Sequence, residues 1–128
     1  MTYKPKRILI VEDNKPDMRL LKDILERSGY ETLRAEDGLE AVNLVFESLP
    51  DLILMDIQLP EISGLEVTRR LKSDDRSRHI PIIAVTAFAM ACHKREALDS
   101  GCDAYISKPI SVLDFLNAVE SFLSRLPH

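Results

Sequence analysis

The chain is poor in the residues that build metal-held or disulfide-held folds. It has two cysteines, Cys92 and Cys102, which form no C-x-x-C pair, and three histidines, His79, His93 and His128, without zinc-ligand spacing. That excludes a zinc-built fold and points to a reduced, intracellular protein. Positive charge is not in excess either: 17 Lys and Arg stand against 21 Asp and Glu, a formal net charge of -4. Nothing here would neutralise a phosphate backbone, so nucleic acid is not expected as a direct partner. Long hydrophobic runs are also missing. "KPKR" near the start is followed by only "ILIV" before Glu12 and Asp13, far short of a signal-peptide core or a membrane span. A cytoplasmic protein with no membrane insertion is therefore expected.

What is present fits one compact α/β domain. The 128 residues, 45% of them hydrophobic, suffice for a single buried core and are too few for two. Five apolar runs recur: "RILIV" (7 to 11), "ETLRA" (31 to 35), "LILM" (52 to 55), "IIAV" (82 to 85) and "AYI" (104 to 106). Helical signals lie between and after them. Met18, Leu21 and Leu25 are helically spaced within 17 to 28, ahead of Gly29. Asp37 with Glu40, and Ser63 with Glu66, have capping-box spacing, Ile62 can staple onto Val67, and Ser111 with Asp114 is a looser box. Val112, Phe115, Leu116, Val119, Phe122 and Leu123 form the stripe of a last helix, which runs to about Arg125.

Strand and helix thus alternate five times. Near-continuous apolar strands predict a parallel sheet covered on both faces, a three-layer architecture. The second run alternates apolar and polar residues, as an edge strand does. No repeat, low-complexity tract or linker interrupts the pattern. Residues 1–128 are expected to form one domain with no output domain.

Asp56 sits badly in this scheme unless it has a purpose. It ends the run Leu52-Ile53-Leu54-Met55, and an unpaired buried carboxylate costs several kcal/mol or gives up its charge. Ligands of open parallel sheets bind beyond the carboxyl ends of the strands. Glu12 and Asp13 follow the first strand, Thr86 the fourth, and Lys108 lies two residues past the fifth run. With the first and third strands as neighbours, three carboxylates share one crevice and raise at least one pKa unless a cation intervenes. A few hard oxygens with open positions suit Mg²⁺ better than zinc or a closed calcium cage. Such a set would hold a phosphoryl group on Asp56.

The segments "VED" (11 to 13), "LILMD" (52 to 56), "AVTA" (84 to 87) and "YISKP" (105 to 109) together resemble the receiver domain of bacterial two-component response regulators. The resemblance implies a flavodoxin-like receiver fold with strand order 2-1-3-4-5. It implies Asp56 as phosphoacceptor, with a sensor histidine kinase or histidine phosphotransfer protein as donor. Glu12, Asp13, Asp56 and the backbone carbonyl of Gln58 would be the Mg²⁺ ligands. Thr86 and Tyr105 would form the switch pair, Lys108 would contact the phosphoryl group, and the bond before Pro109 would be cis. Output would pass to a protein target through the fourth helix, fifth strand and fifth helix. Within the family, "LILMDIQLPEISGLEVT" and "GCDAYISKPIS" resemble single-domain regulators of cell division. Glu12 departs from the Asp more common at its position. The chain is thus expected to be a switch that assists its own phosphorylation and dephosphorylation, not an enzyme.

Two rival readings apply to the same residues. A phosphohydrolase of the haloacid-dehalogenase type also uses a strand-end Asp and Mg²⁺, but carries a second Asp two residues on, where this chain has Gln58. A phosphate-independent scaffold would be favoured by the loss of a key residue, and all are present. Outside the site, Phe88 and Met90 in "AFAMAC" are candidates for exposed apolar surface, and Cys102 for a small buried filler.

Overall fold

The five apolar runs become five parallel strands with order β2-β1-β3-β4-β5. The computed structural model describes residues 5–87 and 91–124, with the backbone alone at 91–93. The strands are β1 (Arg7–Val11), β2 (Glu31–Ala35), β3 (Leu52–Met55), β4 (Ile82–Thr86) and β5 (Ala104–Ser107). The helices are α1 (Lys15–Arg27), α2 (Gly38–Ser48), α3 (Gly64–Ser73), α4 (Ala91–Asp99) and α5 (Val112–Leu123).

Strand periodicity sorts the core into two halves. Ile8, Ile10, Leu52, Leu54, Ile83 and Val85 face one way and pack with Met18, Leu21 and Leu25 of α1 and Phe115, Val119 and Leu123 of α5. Leu9, Val11, Ile53, Met55, Ile82 and Ala84 face the other way, toward α2, α3 and α4. Both faces of β1, β3 and β4 are thereby buried, which is why these strands read as unbroken apolar runs. β2, paired only with β1, is the half-wet edge.

Helix starts follow the capping signals. Asp37 accepts from the Glu40 N–H, and Ser63 from the Glu66 N–H. Ser111 accepts from Asp114 at a longer 3.5 Å. α1 begins at Lys15, two residues before the sequence expectation, because Asn14 is its cap and Pro16 is tolerated in the first turn. It ends ahead of Gly29, whose φ of +94° suits a residue without Cβ.

Three further details differ from the sequence reading. β4 includes Thr86. β5 runs on to Ser107, so Lys108 is the first residue beyond it instead of the second. Val112, assigned to the buried stripe of α5, is 49% exposed because it opens the first turn, while Phe115, Val119 and Leu123 carry the packing. Cys102 is buried. Phe88, Met90 and Arg125 lie outside the described residues.

Candidate functional site

Each chemically loaded residue hangs from the sheet by its own backbone. Beyond the end of β1, the Glu12 N–H donates to Ala35 O of β2 at 3.0 Å. Beyond β3, the Asp56 N–H donates to Val11 O of β1 at 3.0 Å, and beyond β5 the Lys108 N–H donates to Thr86 O of β4 at 2.8 Å. The ladder thus extends one residue past the strands and aims three side chains into the crevice between β1 and β3. Carboxylate oxygens of Glu12, Asp13 and Asp56 lie within 4.8 Å of one another. Lys108 closes the opening, with Nζ 2.6 Å from Glu12 Oε1 and 3.8 Å from Asp56 Oδ2.

The β3–α3 loop fixes Asp56 from below. The Gln58 N–H donates to Asp56 Oδ1 at 3.0 Å, and the Gly64 N–H returns to Ile57 O at 2.9 Å. A Cβ on Gly64 would lie 2.1 Å from the Asp56 carbonyl oxygen, so only glycine lets α3 start this close to the site.

Electrostatics follow from the crowding. Burial, and next the Asp56 carboxyl beside it, push Glu12 up to about 7, against the pull of Lys108 and of the Asn14 N–H. An ion pair ordinarily lowers its carboxylate; here desolvation outweighs it, since Glu12 is only 2% exposed. Burial works to lower Lys108, but its bonds to Asp17 and Glu12, together with the nearby negative charge, raise it. Lys108 therefore stays cationic. The donor set is all oxygen, crowded and partly open, with Asp13 exposed, which fits a hard divalent cation.

Thr86 ends β4 fully buried. Tyr105 sits opposite Ala84, two residues before Thr86 in register, and packs with the core half that faces α2, α3 and α4. Strand parity places Thr86 on that same face. The Lys108–Pro109 peptide is cis. Two participants are absent from the sequence reading. Asp17, in the first turn of α1, accepts from Lys108 Nζ at 2.7 Å, and Gly64 is the close-packed residue under Asp56. Nothing in linear spacing pairs residues 17 and 108. A glycine straight after the Ser63 cap was the available signal for the second.

Residues 8–120 match the response regulator receiver domain model. The chain belongs to the response regulator receiver family. This receiver domain is 60% identical to the polar-differentiation response regulator DivK of Brucella anthropi over 93% of its own length and 97% of that protein. The counterpart from Brucella ovis is 58% identical, with 92% and 96% covered. Among solved structures, a receiver domain protein from Methanospirillum hungatei superposes with a TM-score of 0.87 at 32% identity, covering 95% of that chain and 94% of this one. The receiver domain of a sensor histidine kinase from Pseudomonas aeruginosa, with a magnesium ion coordinated in its active-site cleft, gives 0.88 at 30% identity, with 94% of this chain and 99% of that one covered. The chain is thus a flavodoxin-like receiver with a role in phosphorelay signalling, similar to DivK. Family membership does not favour the phosphohydrolase reading.

Proposed function

We propose that this receiver accepts a phosphoryl group on Asp56 from a phosphohistidine and signals by phosphorylation-dependent protein binding. The observation that carries the reading is the meeting of Glu12, Asp13 and Asp56 within 4.8 Å, with Lys108 across the same crevice. In the transfer an Asp56 carboxylate oxygen attacks phosphorus, and the O–P bond forms as the P–N bond to the donor imidazole breaks. The Gln58 N–H engages Oδ1 and leaves Oδ2, toward Lys108, as the freer nucleophile. Lys108 donates to a phosphoryl oxygen, and the Thr86 hydroxyl to another.

Glu12, Asp13, Asp56 and the Gln58 carbonyl would hold Mg²⁺. When bound, it supplies positive charge that offsets the charge on the carboxylate and phosphoryl oxygens. Movement of Thr86 toward the phosphoryl group opens space for the Tyr105 ring, passing the change to α4, β5 and α5. Leu98, Val112 and Leu113, exposed by 42%, 49% and 69%, supply apolar surface on those helices for a protein target.

Likeness to DivK over 97% of that protein supports a stand-alone domain acting in polar differentiation, and so in cell-division or cell-fate control. The net charge of -4 supports a protein partner over nucleic acid. Among the described residues no helix is long and apolar enough to cross a membrane, in keeping with a cytoplasmic site of action. The test is incubation with Mg²⁺ and acetyl phosphate followed by intact-mass measurement. One phosphoryl adduct should form on the wild type and none on Asp56→Asn; an undiminished adduct on the variant would sink the assignment.

A further inference from the structure

Lys108 is held by a carboxylate that belongs to neither the metal cluster nor the phosphoacceptor. Its Nζ donates to Asp17 Oδ2 at 2.7 Å, as close as the 2.6 Å to Glu12 Oε1, whereas Asp56 Oδ2 stands off at 3.8 Å. Asp17 is the third helical residue after the cap Asn14. An acidic side chain there ordinarily folds back onto the cap N–H. In this chain that N–H already donates to Glu12 Oε2, at 3.2 Å. Asp17 is thereby spared, and its carboxylate crosses 91 residues of sequence to meet Lys108. Complementing the α1 dipole would not require that direction, because any rotamer near the helix start does so.

We propose that Asp17 is a positioning residue that holds Lys108 away from Asp56 in the resting protein and yields it on phosphorylation. The inference rests on the phosphoacceptor reading and extends it. An ammonium has three N–H bonds, and two are committed to Glu12 and Asp17. Asp56 Oδ2 stands 3.8 Å from Nζ, so new phosphoryl oxygens there engage the third N–H only by drawing Nζ toward them. That movement stretches the two present bonds until the weaker-held partner gives way. The Glu12 side chain is 2% exposed and cannot be rehydrated in place; that of Asp17 is 37% exposed and can turn to water. Asp17 is the partner that yields. Its release leaves an unpaired carboxylate on the first turn of α1, so the state of Asp56 is written onto the surface of that helix.

Two variants test this in the full chain. Asp17→Asn keeps the size and removes the charge, while Asp17→Glu keeps the charge. With Mg²⁺ and limiting acetyl phosphate, Asp17→Asn should raise the ratio of phosphorylated to unphosphorylated protein about two- to fivefold, the range a half-exposed ion pair allows, and Asp17→Glu should restore it. In ¹⁵N-lysine-labelled, unphosphorylated protein, the Lys108 ammonium resonance should be protected from exchange in the wild type and the Glu variant. It should be lost in the Asn variant. After phosphorylation, wild type and Asn variant should give the same Lys108 signal. A ratio and a resting Lys108 resonance both unchanged by Asp17→Asn would overturn the proposal. If no variant takes up phosphate, the phosphoacceptor reading fails, and the resting resonance still decides: its loss in the Asn variant upholds the hold on Lys108, and its persistence refutes it.

Discussion

Replacing Glu12 with Gln should change how the stability of the fold depends on pH. Glu12 titrates at about 7 in the folded, metal-free chain against an ordinary 4.5, chiefly because it is buried and secondly because Asp56 is beside it. Below 4.5 the carboxyl is protonated in both folded and unfolded chains. Between 4.5 and about 7 the folded chain keeps a proton that the unfolded chain has lost, so stability falls as pH rises through that window. At about 1.4 kcal/mol per pH unit the whole fall is about 3 kcal/mol, a large share of a typical 5–15 kcal/mol.

Other shifted groups act outside this window. Glu26 and Asp74, both lowered, contribute stability that is lost only as pH falls below their ordinary values of 4.5 and 3.8. Lys108, raised above 10.5, contributes stability that is lost only in strong alkali. Urea unfolding at pH 5, 6.5 and 8 without divalent metal should therefore show the wild type losing about 2–3 kcal/mol, since part of the fall is already complete at pH 5, and Glu12→Gln losing about 1 kcal/mol or less. Saturating Mg²⁺ should restore the wild type more at pH 8 than at pH 5, by about 2.7 kcal/mol at a hundredfold excess over Kd. A wild-type stability that is flat or rises from pH 5 to 8, or a variant that falls as steeply, would refute the reasoning.

Gly64→Ala should slow phosphorylation by acetyl phosphate by up to about a hundredfold, since a Cβ 2.1 Å from the Asp56 carbonyl must displace that strand end; stopped-flow uptake measures it, and an unchanged rate would show the loop can absorb the methyl group. Asp13→Ala should weaken Mg²⁺ binding more than Glu12→Ala by titration calorimetry, because Asp13 is exposed and unpaired with Lys108 while the Glu12 carboxylate is shared with it. Lys108→Ala should still take up a phosphoryl group but bind its protein target poorly on phosphorylation, as a paired mass and affinity measurement would reveal. Leu25→Ala, at a fully buried contact between α1 and the sheet, should cost about 2–5 kcal/mol in urea unfolding without altering Mg²⁺ affinity.

The sheet was legible in the sequence because its inner strands are covered on both faces and its edge strand β2 is half wet. Burial wrote continuous apolar runs at β1, β3 and β4 and an alternating one at β2. Element ends were less legible where the terminal residue is polar: Ser107 extends β5 through its backbone pairing with Thr86, which no side-chain pattern encodes. The convergence of Glu12, Asp13, Asp56 and Lys108 was readable because strand ends in a parallel sheet share one edge. The Asp17–Lys108 bond was not, since it depends on how the α1 cap divides its hydrogen bonds. Nor was the role of Gly64, which only the return path of the loop to Ile57 exposes.

The same ladder that makes the site legible also explains why it is tense. Glu12, Asp56 and Lys108 each spend their N–H on a neighbouring strand, so their backbones cannot move apart to relieve charge. Three carboxylates, Glu12, Asp17 and Asp56, then answer to one ammonium, with Asp13 crowded beside two of them. The responses left are to hold a proton on Glu12, to admit a cation, or to move Lys108. A phosphoryl group adds negative charge and so draws on the third response. A hydrogen bond from Thr86 to that charged group is worth about 1.5–3 kcal/mol. Moving a two-state population from 1:99 to 99:1 takes about 5.5 kcal/mol. On the proposed reading, Thr86 alone therefore falls short, and the transfer of Lys108 from Asp17 to the phosphoryl oxygens, with repacking at Tyr105, has to supply the difference. Thr86→Ala should weaken phosphorylation-dependent binding without abolishing it; complete loss of the response in that variant would show that the switch runs through Thr86 alone.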